Sequence, residues 1–460
     1  MGLDRLSIRD ICSITGARHH GASDQRFSSI VVDSREVTPG ALFVALPGER
    51  TDGHHFVEQA LDSGAAGALV ARSARDRYPG PHAVVQMRAD KTVLEVAGTL
   101  PALQAMAAAY RDLVESVTVV GITGSNGKTT TKELIGAVVQ AAHPAFVTRG
   151  NLNSDIGLPL SLFCIEPEHR YAVLEMGMNR VGEMQELARM ARPDVAVITN
   201  IGTAHIGNIG SIEGIAEEKK AITSEFSGSE RLLIWEDEPQ FKRLARNVRG
   251  TVEPYGPRST SGWERFEDHG VLGSTLYWRG RTITLSLCGA HSVRNALAAI
   301  HVGLLFGIGE EAIVSGIESV QPLFGRGQIL RGRTTTILDC YNANPESMGE
   351  ALRLLSSTGT SGRRIAVLGA MKELGELTDG AHRSVVALAM GMPLDRVFLV
   401  GKEFEDAAPV DDTRFRYFDG IEELSAALPT EIRGGDTVLI KGSRSLALER
   451  IVPQLEAEGE

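Results

Sequence analysis

The sequence predicts an α/β protein of three units: a small α/β domain over 1–88, a central parallel-sheet P-loop domain over 89–322 and a C-terminal Rossmann-like domain over 323–460. Three observations lead there. A chain of 460 residues is longer than one hydrophobic core usually organises, since a domain holds about 100–200 residues. Short β-branched runs alternate with helical patterns along the chain, which predicts parallel sheets covered by helices. A glycine-rich segment, GITGSNGKTTTKE at 121–133, stands between one such run and a helical pattern.

In the first unit, SSIVVDSR, GALFVALPG, GALVARS and HAVVQM predict strands, and FVEQALDSGA predicts a helix. The polar RADKT predicts a break, and LEVAGTLPALQAMAAAYRDLV follows with apolar residues at helical spacing. VTVVG, YAVLEM and DVAVITN are short and apolar throughout, as strands buried on both faces of a parallel sheet should be. In such sheets functional residues gather at the carboxyl ends of the strands. RLLIWEDE, GSTLYWRG and RTITLSLCG predict a more antiparallel insert, and AHSVRNALAAIHVGLLFGI predicts a helix. A boundary is expected near Pro322, where a turn begins. Beyond it TTTILD, RRIAVLG, DRVFLVG and DTVLIKG predict four strands separated by helices such as ESMGEALRLL.

Composition narrows the class. Hydrophobic residues at 43% and charged residues at 23%, without repeats or low-complexity tracts, describe a globular chain. No run of eighteen apolar residues occurs, and the N-terminus lacks a basic stretch followed by an apolar one, so a cytoplasmic protein without membrane insertion is expected. The net charge of −11 argues against nucleic acid or an anionic membrane as the main partner. An anionic small molecule remains open, because a few Arg, Lys and backbone N–H groups suffice to hold one. Cys12, Cys164, Cys288 and Cys340 are too scattered for a zinc cluster and too few for a disulfide framework, so reduced thiols are expected. A monomer is expected.

In the glycine-rich segment Gly121, Gly124 and Gly127 precede Lys128 and Thr129, with Ser125, Asn126 and Thr130 completing the loop; Ile122 stands where the common P-loop pattern has its first glycine. Glycines let N–H groups turn inward around phosphate oxygens, the helix N-terminus adds partial positive charge, the lysine reaches terminal phosphates and the threonine can ligate Mg²⁺. Glu175 ends YAVLEM and His205 follows DVAVITN in NIGTAH, both at strand ends suited to a magnesium–nucleotide site. Taken singly, Glu175 also reads as a solvated strand-end charge and His205 as a satisfied loop histidine. The absence of an N-K-x-D stretch argues against a GTPase switch.

TGSNGKTT, LEMGMNR, NIGTAH, IAEEKKAI, GAHSVRNALAA and GRGQ, in this order, resemble the ATP-dependent Mur ligases of bacterial cell-wall synthesis, themselves similar in three-domain layout to folylpolyglutamate synthases. VVDSREVTPGALFVALPGERTDGHHF resembles the Mur segment that holds a UDP-sugar. GNLNSDIGLPL, LDCYNANPESM, LGAMKELGE and IKGSRS resemble the members that add D-Ala-D-Ala to UDP-MurNAc-tripeptide. The resemblance implies an amide ligase that forms an acyl phosphate with ATP and releases UDP-MurNAc-pentapeptide, ADP and phosphate. Its alternatives are a third-residue-adding Mur ligase, folylpolyglutamate synthase or a nucleotide-gated binding module. YNANP and GNLNSDIG favour the dipeptide-adding reading, as does the lack of a D-N-P-R stretch.

Residue by residue, the resemblance implies that Lys128 stabilises the transferring phosphoryl group, that Thr129 and Glu175 serve one Mg²⁺, and that His205 helps hold a second. Lys219 matches a lysine that the family carbamylates, although EEKK also describes an exposed helix face. Asn295, Arg326 and Asp339 match nucleotide-contacting positions. Ser34, Arg35, Asp52, Gly53 and His54 match the UDP-sugar end, Asn151 and Asn153 the peptide-bearing substrate, and Tyr341, Asn342 and Asn344 the dipeptide side; such Asn-rich loops also make ordinary turns. The chain departs from the family's pattern at Ala370, where aspartate is usual after glycine, at Ala221, where glutamate is common, and at Cys340, in place of serine. These departures bear on dipeptide contacts and leave the phosphate and metal residues intact.

Overall fold

The β-branched runs pair into four sheets in the computed structural model, which describes residues 5–48, 51–74 and 90–456. The first sheet has the strand order Arg18–Gly21, Thr92–Val96, Gly67–Ala71, Ala41–Val44 and Ser29–Val31, parallel except at the edge strand Arg18–Gly21. The strand expected at HAVVQM, 82–87, lies outside the described residues.

The first sheet runs past the boundary read at 88. Thr92–Val96, whose LEV was read as the start of a helical pattern, is a strand buried at every position and paired on both sides. TVLEV is β-branched and too short to show a helical period, whereas the helix begins only at Thr99, after Gly98. That helix, Thr99–Leu113, packs against Ile8–Thr15 of the first unit and against Gly157–Leu162 and Glu183–Ala191 of the second. Tyr110 anchors it by donating from its hydroxyl to the Ile165 carbonyl at 2.6 Å.

The central sheet is six-stranded and parallel, in the order Thr251–Tyr255, Arg231–Trp235, Val195–Ile198, Thr118–Thr123, Tyr171–Glu175 and Ala145–Val147. Arg231–Trp235, read as part of an antiparallel insert, belongs instead to this parallel sheet; its LLI core is buried between two parallel neighbours. The insert itself is the antiparallel ribbon Trp263–Asp268, Ser274–Trp278 and Arg281–Leu285.

The third sheet holds the four expected strands, Thr335–Asp339, Thr437–Lys441, Arg364–Gly369 and Arg396–Val400, in that spatial order. Phe415–Phe418 extends it in parallel on one edge, and Gln328–Arg331 closes the other in antiparallel fashion. Both edge strands are short and only partly buried, so they lack the continuous apolar run that marks the inner ones. The ends of central and third-domain strands meet at one cavity, to which Glu175, Asp339 and Lys441 contribute. Among the described residues no helix is long and apolar enough to cross a membrane.

Candidate active site

The glycine-rich loop leaves strand Thr118–Thr123 and enters helix Lys128–Gln140. Ile122 is fully buried inside the strand, which explains why a side chain is accepted where the common pattern has glycine. Glycine is required at two later positions. A Cβ on Gly124, at φ +152°, would fall 1.8 Å from Thr199 Oγ1, and one on Gly127, at φ +80°, would fall 2.8 Å from Asn295 Oδ1. The segment 199–202 backs the loop: Ser125 N–H donates to the Asn200 carbonyl at 3.0 Å, Asn126 N–H to Asn200 Oδ1 at 3.0 Å, and Thr199 Oγ1 to the Asn126 carbonyl at 2.6 Å.

The helix's first backbone bond is Thr131 N–H to the Gly127 carbonyl, 2.9 Å, so the amides of Lys128, Thr129 and Thr130 have no partner within the helix. Unpaired amides at the positive end of a helix dipole form an anion site. Lys128 Nζ folds back to the Gly124 carbonyl at 2.8 Å. Burial pushes its pKa below the ordinary lysine value, against the opposing pull of the Glu175 carboxylate.

Glu175 is 1% exposed at the end of its strand. Its Oε1 accepts from Asn153 Nδ2 at 2.7 Å, while Oε2 is buried without a partner. A buried carboxylate oxygen left unpaired is costly, and a cation would relieve it. Asn153, matched to substrate holding, thus orients Glu175 while lining the same cavity as Asn151. Among the described residues no three His, Cys, Asp or Glu side chains form a metal cage by themselves. That suits magnesium carried on a nucleotide, which takes few protein ligands and completes its shell with phosphate oxygens and water.

His205 lines the cavity with a left-handed backbone, φ +65°. Its Nδ1 is buried without a hydrogen bond and lies 2.7 Å from Glu373 Oε2 of the third domain, at ion-pair distance. The imidazole holds the Glu373 carboxyl below its ordinary pKa. Lys219 is 1% exposed on helix Ile212–Lys220, and its amine makes no hydrogen bond or ion pair among the described residues. Burial, followed by repulsion from Lys128, drives its pKa well below that of a free lysine. Its neighbour Glu218 is buried and accepts from the Gly182 and Met184 amides at 2.9 Å, whereas Lys220 pairs with Glu217 at 3.5 Å. EEKK is therefore not an exposed face at its two middle residues.

The cavity, about 720 Å³, also takes Asn295, Arg326, Asp339, Tyr341 and Asn342 into its wall. Asn295 is 5% exposed with a buried, unpartnered Nδ2. The Arg326 guanidinium stacks 3.8 Å over the Tyr341 ring. Asp339 Oδ2 accepts from Lys441 Nζ at 2.7 Å, and the same amine donates to the Asn342 carbonyl at 3.1 Å. Lys441, in the IKGSRS segment, was not singled out by sequence, nor were Asn200, Glu346 and Glu373. Asn200 sits inside NIGTAH, where the motif directed attention to the histidine.

Asn344 does not line the cavity. It caps helix Pro345–Ser357 in a capping box with Ser347, and its amide pairs with that of Asn126 across the two domains, at 2.8 and 3.3 Å. With Oδ1 and Nδ2 both committed, the dipeptide assignment gives way to a structural one; asparagine followed by proline was the legible helix-start signal. Nearby, Glu346 accepts from the Thr203 amide at 3.1 Å and from its hydroxyl at 2.9 Å.

Ser34, Arg35, Asp52, Gly53 and His54 lie apart from the cavity lining. Arg35 is exposed and pairs with Asp33, whose pKa its hydrogen bonds hold at about 2. His54 is 5% exposed, with Nδ1 at 2.6 Å from Asp52 Oδ1 and Nε2 accepting from the Ala71 amide at 2.9 Å. Both ring nitrogens are engaged, so His54 holds the first domain together and has no donor left for a diphosphate. Gly53 packs against the chain at Leu46, where a Cβ would meet the amide nitrogen at 2.8 Å. Of the departures, Ala370 is fully buried, and a Cβ added at Gly401 would fall 3.0 Å from its Cβ. Burial pushes the Cys340 thiol up to about 11, and Ala221 opens the turn Ala221–Thr223.

Three family models match in order: "Mur ligase family, catalytic domain" over 26–111, "Mur ligase middle domain" over 122–303, and "Mur ligase, glutamate ligase domain" over 325–444. The first match, like the first sheet, extends past residue 88. The chain is 40% identical over 463 residues to the UDP-N-acetylmuramoyl-tripeptide–D-alanyl-D-alanine ligase of Treponema pallidum, covering 98% of this chain and 99% of the relative. It superposes on the crystal structure of MurF from Acinetobacter baumannii with a TM-score of 0.86 and 29% identity, over 100% of both chains. A MurF ligase from Thermotoga maritima in complex with ADP matches with a TM-score of 0.78 and 28% identity, over 93% of this chain and 97% of the other.

Proposed function

The chain belongs to the Mur ligase family, and from that premise we propose that its cleft joins D-Ala-D-Ala to UDP-MurNAc-tripeptide in peptidoglycan precursor synthesis, with ATP converted to ADP and phosphate. One observation supports the chemistry above the others. A phosphate-binding loop, a buried carboxylate oxygen without a partner and a buried lysine without a partner are gathered within one region of the central domain, under the third.

A carboxylate is a poor electrophile, because an attacking amine would have to expel oxide. Transfer of the γ-phosphoryl group to that oxygen creates an acyl phosphate, whose leaving group is phosphate. The amides of 128–130 would hold phosphate oxygens, and Lys128 would neutralise charge that develops on the transferring group. Glu175 and Thr129 would hold one Mg²⁺ and His205 a second; bound magnesium supplies charge neutralisation between the phosphate and the carboxylate. Lys219 has the depressed basicity that carbamylation requires, since its neutral nitrogen attacks the carbon of CO₂ and then loses a proton. The anion so formed would place negative charge beside the metals. Asn295 and Arg326, with Asp339 held by Lys441, would receive the nucleotide.

Within the same proposal Ser34 and Arg35 meet the UDP end, Asn151 the peptide-bearing substrate, and Tyr341 and Asn342 the dipeptide. The enzyme works as a cytoplasmic monomer, without nucleic acid. The test is release of ADP and phosphate by the purified protein with Mg²⁺-ATP and UDP-MurNAc-tripeptide, with and without D-Ala-D-Ala, and the mass of the product. Dipeptide-dependent release with a UDP-pentapeptide product is expected. Turnover only with a single amino acid would move the chain to another Mur ligase activity, and silence with every amine would leave a nucleotide-gated binding module.

A further inference from the structure

His205 is held by a part of the chain that the P-loop domain does not supply. Its ring nitrogen Nδ1 is buried 2.7 Å from Glu373 Oε2, on the loop that follows the third-domain strand Arg364–Gly369. That loop is fixed on several sides: Met371 N–H donates to His382 Nε2 at 3.0 Å, Lys372 N–H donates to Ser443 Oγ at 2.9 Å, and the Lys372 side chain pairs with Glu403. It is also docked on the central domain, since Gly207 N–H donates to the Glu373 carbonyl at 3.0 Å. The approach of Gly207 is close enough that a Cβ there would meet Gly375 N at 2.7 Å.

Both partners have unusual backbones. His205 and Glu373 each have φ +65°, a left-handed conformation that few non-glycine residues adopt. The two side chains meet across the domain boundary. A carboxylate 2.7 Å from Nδ1 favours the tautomer with hydrogen on that nitrogen, which leaves the free lone pair on Nε2. Metal-ligating histidines are commonly oriented in this way, by donating the other ring N–H to a carboxylate.

We propose that Glu373 is a positioning residue for His205: by docking with the third domain it fixes the imidazole in the Nδ1–H form and leaves Nε2 as the nitrogen that serves the magnesium–phosphate site. The contact is at hydrogen-bonding distance without a formed hydrogen bond, and the χ2 torsion that would adjust it is soft in histidine. The site on the central domain is thereby complete only with the third domain seated. The inference rests on the ligase reading for the role of the metal, whereas the tautomer of His205 does not.

The test uses the full-length protein labelled with ¹⁵N-histidine, with the His205 signals identified by their loss in His205→Gln. Long-range ¹⁵N–¹H correlations should report Nδ1–H for His205 in the wild type, a mixture or the Nε2–H form in Glu373→Ala, and Nδ1–H again in Glu373→Gln, whose amide oxygen still accepts. In phosphate-release assays Glu373→Ala should need about 10-fold more Mg²⁺ for half-maximal rate, with the ATP KM within about two-fold of wild type. Glu373→Gln should recover most of that difference. An unchanged tautomer in a folded Glu373→Ala, or equal losses in the Ala and Gln variants, would overturn the proposal. A wild type with Nδ1–H but no amine-dependent phosphate release would refute the ligase reading and leave the orientation of His205 standing.

Discussion

The central cleft and the Asp52–His54 corner of the N-terminal domain present polar residues of similar kinds, and they treat them in opposite ways. Around the P-loop, Glu175 Oε2 and Asn295 Nδ2 are buried without partners, and Lys219 is buried without an ion pair. In the first domain Asp52, His54 and Ala71 form a closed chain of contacts, and Asp33 takes Arg35. The contrast also divides two buried lysines of the central domain. Lys132 is fully buried yet donates to the Thr148 carbonyl at 2.7 Å and lies 2.7 Å from Glu133; Lys219 has nothing comparable. Folding stability favours the first arrangement, because unpaired buried polar groups are costly. Where a fold tolerates the second, a ligand is the economical explanation.

Substitutions can break or sharpen that contrast. The largest effect is expected at Lys128→Ala, which should lower kcat for phosphate release by about 10²-fold or more if the amine acts electrostatically on the transfer. A turnover number near that of the wild type would remove Lys128 from the chemistry.

Lys219→Met should lower activity by about 10- to 100-fold while raising the thermal midpoint, since it removes a buried amine and keeps the volume. The pH dependence has a definite sign. The folded-state pKa of Lys219 lies well below 10.5, so between those values the unfolded chain binds more protons and stability rises with pH. The advantage of Lys219→Met over wild type should therefore shrink as pH rises toward 10.5 in thermal or denaturant unfolding. A constant difference across that range would mean that Lys219 has no depressed pKa.

On the satisfied side, His54→Ala should cost about 1–3 kcal/mol in urea unfolding, because it leaves the Ala71 amide without its acceptor, and should leave the KM for UDP-MurNAc-tripeptide within about two-fold. A raised KM with intact stability would restore His54 to the substrate site and weaken the contrast between the domains. The smallest structural effect belongs to Arg35→Ala. Its exposed pair with Asp33 should contribute little, so the thermal midpoint should stay unchanged. A KM for the UDP substrate about 10-fold higher would support Arg35 at the diphosphate; an unchanged KM would remove it.

Much is legible in the residues alone. The α/β class, the P-loop between strand and helix and the strand-end position of Glu175 all follow from local pattern or motif register. These are properties of neighbouring residues: side-chain period, glycine conformation and the order of motifs along the chain. The strand Thr92–Val96, the parallel placement of Arg231–Trp235 and the edge strand Phe415–Phe418 were not legible, because four or five residues seldom reveal which sheet they join.

The sequence by itself determined the fold class, the family and the phosphate-binding loop. Tertiary structure alone decided that Asn153 turns to Glu175, that Asn344 clasps Asn126 across 218 positions, that Lys441 holds Asp339, that His54 is closed within its own domain, and that Glu373 reaches His205. The physical reason is that hydrogen bonds and burial depend on distances between segments far apart in the chain, and residue type constrains which partner a group can take without choosing it.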